Sequence, residues 1–256
     1  MRLIDTHCHL NDKEAFPDPA EAIRQARDAG VDRLIVVGVD LESSRYAVEI
    51  AEAHSGVFAI VGWHPNYTQN FTSRDFKELT SLFNSTSIVA LGEIGLDYHW
   101  DFATKDQQMA ALAEQLEFAE SEGKRVVFHC REAYTDVLNF LEPRKRIPYL
   151  FHCFAGSADD AKRAMGMGSK FGVDGPVTYK KADELREILA GIGIDHLMLE
   201  TDSPWMSPHP FRSERNHPAK LPLINEGLAA CLGISPDECA AKTTDNAEEF
   251  FGLSAG

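Results

Sequence analysis

Short apolar runs rich in β-formers alternate along the chain with segments whose apolar positions recur at helical spacing. The runs at 3–6, 33–37, 58–62, 88–92, 125–128, 149–151, 169–173 and 196–199 predict eight strands. In the first intervening helix Ala22, Ile23, Ala26 and Ala29 share a face, with Gly30 placed to cap its end. In the fourth, Met109, Leu112, Ala113 and Leu116 repeat the pattern, and Gly123 follows the last turn. Near the C-terminus, Ser235-Pro236-Asp237-Glu238 reads as an N-cap, a proline at the first helical position and a capping-box glutamate. No linker rich in Pro, Gly and Ser divides the chain, and there is no low-complexity tract. The pattern predicts a single domain over residues 1–256, a TIM-type (β/α)8 barrel with an extra C-terminal helical segment. An open doubly wound sheet is the alternative, but no glycine-rich dinucleotide fingerprint follows any strand.

Composition narrows the class. The 256 residues are 44% hydrophobic and 25% charged, ordinary for a soluble globular protein. The longest strongly apolar stretch, 34–39, is far short of a membrane span, and an acid at the fifth position argues against a secretory signal. Five cysteines without a CxxC argue against a disulfide framework or thiolate zinc knot, so a cytoplasmic location is expected. Lys and Arg number 25 against 40 Asp and Glu, a formal charge of −15, which opposes passive binding of nucleic acid. A polyanionic substrate would need local positive charge, from basic side chains or metal ions.

The candidate chemistry lies where strands end. His7 and His9 close the first strand, His64 follows the third, Glu93 the fourth, His129 ends the fifth, His152 the sixth, and Asp202 follows the eighth. In a barrel these ends share one mouth, the face that carries the active site. In extended chain His7 and His9 point to one side, able to grip one metal while Cys8 turns away. Cys130 and Cys153 repeat that pattern and read as packing residues facing the wall. Singly, each polar residue has an ordinary explanation: a hydrogen-bonded core histidine, a helix cap, a turn acid. Their common position changes the balance. Imidazoles mixed with carboxylates suit zinc, manganese, iron or magnesium alike. His54, His99, His196, His209 and His217 lack both the strand-end position and partners.

These segments carry a resemblance. Asp5-Thr6-His7-Cys8-His9-Leu10, Gly62-Trp63-His64-Pro65, Gly92-Glu93-Ile94-Gly95-Leu96-Asp97-Tyr98, His129-Cys130-Arg131, His152-Cys153-Phe154-Ala155-Gly156 and Glu200-Thr201-Asp202-Ser203-Pro204 occur in the order found in TatD-family metal-dependent hydrolases. Asn216 and Pro218 fit the family's Asn-x-Pro segment, and the sequence resembles the family from residue 5 to about 250. The resemblance implies two divalent metal ions, one held by His7, His9, Glu93 and Asp202 and the other by Glu93, His129 and His152, with Glu93 bridging. It also implies a deoxyribonuclease that cleaves DNA phosphodiester bonds through a metal-activated water, with Asp202 as general base and His64 contacting substrate. Two divalent ions with two carboxylates leave the inner site near +2, a field that acts at contact while the surface charge is screened.

Arg131, beside His129, is a candidate phosphate clamp, balanced against a structural ion pair. Tyr98 and Trp205 are candidates for stacking a base, balanced against packing. Lys180, Lys181, Arg212, Arg215 and Lys220 are most simply solvated charges. The alternatives to a nuclease are an ester or amide hydrolase on the same site, and a binding protein with a structural metal. DNA is the expected substrate, with neither a membrane nor an obligate protein partner indicated.

Overall fold

The computed structural model describes residues 2–253. Eight parallel strands pair in sequence order: β1 (Leu3–Cys8), β2 (Val31–Val37), β3 (Val57–Val61), β4 (Ile88–Asp97), β5 (Val126–Arg131), β6 (Tyr149–Phe151), β7 (Lys170–Val173) and β8 (Leu197–Leu199). The barrel closes above the end of β8. Asp202 N donates to the His7 carbonyl at 2.9 Å, His9 N to that of Ser203 at 2.8 Å, and Cys8 bridges Ser203 in parallel.

All eight expected strands form, but three run further at their C-terminal ends than expected. β1 includes His7 and Cys8, β5 includes His129 through Arg131, and β4 continues past Gly92 to Asp97. Glu93 therefore lies within β4 rather than after it. The extension persists because β4 stays paired with β5 up to the Asp97–Arg131 register pair. It demands glycine at position 95, where φ is +143° and an added Cβ would stand 1.9 Å from the His129 carbonyl oxygen.

Helices α1 (Pro19–Asp28), α2 (Leu41–Ala53), α3 (Ser73–Thr80), α4 (Lys105–Glu122), α5 (Tyr134–Leu141), α6 (Ala158–Gly166), α7 (Asp183–Ile192) and α8 (Leu221–Leu232) follow the strands in turn. The buried face of α4 is rotated from the expected one: it consists of Gln108, Ala111, Leu112, Gln115, Leu116 and Ala119. Two glutamines are buried there because each completes a strand end. Gln115 accepts from Trp63 N at 2.8 Å and donates to its carbonyl at 3.1 Å; Gln108 does the same for Asp97, both at 2.8 Å.

The core has two shells. Ile4, Ile35, Val37, Ile60, Ala90, Val127, Leu150 and Met198 fill the barrel, and Phe250, Phe251 and Leu253 close it from below. The two phenylalanines end α9 (Pro236–Phe251), the extra C-terminal helix. Ser235 caps it and Pro236 starts it as the sequence predicts, but only half of the box forms: Ser235 Oγ accepts from Glu238 N at 3.1 Å. The residues that alternate with the inner set, such as Leu34, Val36, Phe128 and Phe151, pack outward against the helices. Among the described residues no helix is long and apolar enough to cross a membrane.

Candidate metal centre

Strand alternation lifts the functional residues above this floor. On β5 and β6 the inward positions after Val127 and Leu150 are His129 and His152; beyond Met198 of β8 they are Glu200 and Asp202. On β1 and β4 plain alternation would turn His7, His9 and Glu93 outward. Register shifts between Asp5 and Cys8, and between Leu91 and Ile94, change the phase and bring them in.

Glu93 sits at the centre, 2% exposed. Its Oε1 lies 2.9 Å from His129 Nδ1 and 2.6 Å from His152 Nε2, while its Oε2 lies 3.4 Å from His7 Nε2. His9 Nε2 stands 3.3 Å from His7 Nε2 and 3.5 Å from Asp202 Oδ1. The structure thus brings together His7, His9, Glu93, His129, His152 and Asp202, with His64 Nε2 at 3.6 Å from Glu93 Oε1. Asp202 has a left-handed φ of 51°, a conformation that costs an L residue of order 1 kcal/mol and turns the chain at the mouth.

The tautomers follow from what each far nitrogen meets. His9 Nδ1 lies 3.0 Å from the Val37 carbonyl, which can only accept, so Nδ1 carries the proton and Nε2 offers a lone pair. Asp97 Oδ2, 2.8 Å from His129 Nε2, fixes the proton there and frees Nδ1 for the centre. His64 is the reverse case. Its Nδ1 accepts from Asn66 N at 3.0 Å, so the proton sits on Nε2, which becomes a donor aimed inward. Burial, then the charge of His129, pushes His64 down to about 3, keeping the ring neutral.

Burial alone would raise the Glu93 carboxyl, but the imidazoles packed around it, His152 foremost, hold it well below the usual range. Asp97 is likewise pulled down to about 2 despite its burial, chiefly by its hydrogen bond to His129 and then the His129 charge, helped by the Trp100 and His99 backbone N–H groups. Buried His7 Nδ1 and His152 Nδ1 have no hydrogen-bond partner, and His152 Nδ1 is 3.4 Å from Glu200 Oε1. Imidazole lone pairs and ionised carboxylate oxygens crowd together here, each ligand set within 4.8 Å. That donor set fits a cation, which would relieve the crowding of acceptors.

Several supporting residues stand in segments the sequence singled out, but their roles escaped it. Asp5 is buried and accepts from Thr201 N at 2.9 Å, Thr201 Oγ at 2.6 Å and His7 N at 3.3 Å, locking β1 to the chain after β8. Burial pushes its carboxyl up to about 7 against those hydrogen bonds. Asp97 and Glu200 stood in recognised segments, but their partners lie more than thirty residues away in sequence. Asn216 donates to the Thr201 carbonyl at 2.7 Å and braces the loop after β8.

The thiols divide. Cys8 and Cys130 pack against the wall as expected. Cys153 does not: its Sγ donates to Asp174 Oδ2 at 3.1 Å, and the pair groups with Asp202. Alternation fails because β6 has already ended at Phe151 and Cys153 takes φ 43°. Arg131 is exposed at the rim, its guanidinium 5.8 Å from the Trp100 ring centroid, and among the described residues no carboxylate pairs with it. Arg215 and Lys220 donate to backbone carbonyls and are structural.

The family model for TatD-related DNases matches residues 4–252. The chain belongs to the TatD family. It is 36% identical over 254 residues to a Bacillus subtilis protein named as the uncharacterized metal-dependent hydrolase YabD, covering 98% of this chain and 100% of that one. It is 32% identical over 261 residues to the 3'-5' ssDNA/RNA exonuclease TatD of Erwinia amylovora, with 98% and 100% covered. Among solved structures, the TatD homologue YJJV of Escherichia coli K12 superposes with a TM-score of 0.92 at 29% identity, covering 99% of each chain. As a TatD-family member the protein is a metal-dependent hydrolase of the nuclease type, and its barrel is the family's barrel.

Proposed function

We propose that this TatD-family enzyme hydrolyses phosphodiester bonds at the ends of single-stranded DNA, using two divalent ions held on either side of Glu93. The observation that carries this reading is the division of the Glu93 carboxylate, with Oε2 toward His7 and Oε1 toward His129 and His152. A carboxylate with two oxygens is suited to bridge two cations and offset their repulsion. His7, His9, Glu93 and Asp202 would hold one ion; Glu93, His129 and His152 would hold the other. Divalent ions there would supply Lewis acidity, polarising a phosphoryl oxygen and making water acidic enough to react near neutral pH.

The protein's own groups complete the site. Asp202 accepts the proton of the attacking water on its carboxylate as the water oxygen bonds to phosphorus; the phosphorus–oxygen bond to the departing sugar oxygen breaks, and that oxygen takes up a proton from solvent. His64 donates through Nε2–H to a phosphoryl oxygen, a role its fixed tautomer supports better than ligation. Arg131 offers a planar fork to the adjoining phosphate. Residues 1–256 act as one catalytic unit on this reading. The free state of all five cysteines supports a reducing, cytoplasmic setting.

The test is hydrolysis of single-stranded and duplex DNA by metal-stripped protein, with Mg²⁺, Mn²⁺ or Zn²⁺ restored and Asp202→Ala as control. Cleavage that requires metal and is lost in the variant is expected. Folded, metal-loaded protein that cleaves esters but no DNA would overturn the assignment.

A further inference from the structure

Four large apolar side chains stand largely open to solvent among the described residues: Tyr67 at 43%, Trp100 at 46%, Phe102 at 59% and Trp205 at 52%. All four are aromatic, and all lie on segments that leave strands at the catalytic mouth. Tyr67 is in the 3-10 turn Pro65–Asn70 after β3, Trp100 and Phe102 follow β4, and Trp205 follows β8. Scattered exposure of apolar residues is ordinary; confinement of every such residue to one rim is not.

Each group abuts the centre or its rim. The Trp205 ring lies 4.9 Å from that of His9 at 69°, and Tyr67 lies 6.0 Å from His64 at 78°. Trp100 stacks on Phe102 at 5.8 Å and 27°, with the Arg131 guanidinium 5.8 Å from its centroid. Tyr98 is different. Its hydroxyl donates to Asp136 at 2.7 Å and Lys105 Nζ covers its ring at 3.7 Å, so it is already engaged.

We infer that Trp205 and the Trp100–Phe102 pair are stacking platforms for unpaired nucleobases on either side of the phosphate held at the centre, and that they select single strands. The inference rests on the nuclease reading above. With a charge of −15 the protein cannot hold a strand by long-range attraction to its phosphates, so short-range contacts, to the phosphate at the centre and to the bases, supply the hold. Every base has a π-face, so such platforms tolerate sequence. A duplex hides those faces within its own stack. Arg131 above Trp100 would take a phosphate while the indole takes the neighbouring base.

The experiment compares kcat/KM on a short 5'-fluorescein oligothymidylate with that on the same strand made abasic near its 3' end. Trp205→Ala and Trp100→Ala should each lose roughly 5- to 150-fold on the base-bearing strand, mainly in KM. They should lose little on the abasic strand, whose hydrolysis also reports that the variant is folded and loaded. Trp→Phe at either position should recover part of the loss. Equal loss on both strands, or loss on neither, would overturn the platforms while leaving the nuclease intact. If the wild type cleaves neither strand with any metal, the nuclease reading fails. Fluorescence anisotropy of the two strands then decides the platforms on the same criterion.

Discussion

His129 is held from behind by Asp97, and Asp97 is itself held by Asn66 Nδ2 at 3.2 Å and by the backbone N–H groups of His99 and Trp100 at 2.9 and 3.1 Å. An acceptor so braced sets both the tautomer and the tilt of the ring it serves. Asp97→Ala should therefore weaken metal binding by about 10- to 100-fold although it removes no ligand. Competition titration against a chelator measures this, and unchanged affinity would remove Asp97 from the centre. His217, outside the site, gives a pH signature. Burial, then nearby Lys220, lowers its pKa below 6.5, while its Nδ1 accepts from Ala219 N at 3.0 Å. A histidine depressed in the folded state contributes its full stability above about pH 6.5 and loses it as pH falls, because the unfolded chain protonates first. His217→Asn puts a side-chain oxygen in place of Nδ1 as the capping acceptor and abolishes the titration. Its melting temperature should fall less than the wild type's between pH 7.5 and 5.5; an equal fall would contradict the assignment. At this scale the convergent histidines and acids were legible as strand-end residues. Their supports were not, because Asp5 and Glu200 find their roles through chain neighbours on other strands.

Among elements, β4 and β5 set the geometry of Glu93 and His129 together. Sequence reading ended β4 at Gly92, and glycine in a strand ordinarily weakens it. Here glycine serves the opposite purpose: Gly95 permits the close approach that carries the pair to Asp97 and Arg131. Gly95→Ala must push its Cβ off the His129 carbonyl while holding a φ that alanine resists. The expected cost exceeds about 2 kcal/mol, seen as a lower urea midpoint at unchanged slope. A midpoint equal to the wild type's would show that the strand pair yields freely. Periodicity located the helices well, yet it misplaced the buried face of α4. Binary patterning scores glutamine as polar, whereas Gln108 and Gln115 are buried because they complete the hydrogen bonding of strand ends. Cys153 was misread for a related reason, since alternation was carried two residues beyond Phe151, where β6 ends.

At the scale of the whole molecule, the barrel separates stability from function. Its lower half is an apolar plug closed by α9, and its upper half gathers ionisable groups that could hold a cation. An acidic protein can then serve a polyanion, because the positive field is local and surrounded by exposed aromatics. The proposed mechanism depends most on Glu93 as the bridge between two ion positions. The most direct measurement is metal stoichiometry after stripping and reloading, on the wild type and on Glu93→Ala, with circular dichroism to verify the fold. Two tightly held divalent ions per wild-type chain are expected, and no dinuclear loading in the variant. Two tightly bound ions in folded Glu93→Ala protein would contradict the bridging role.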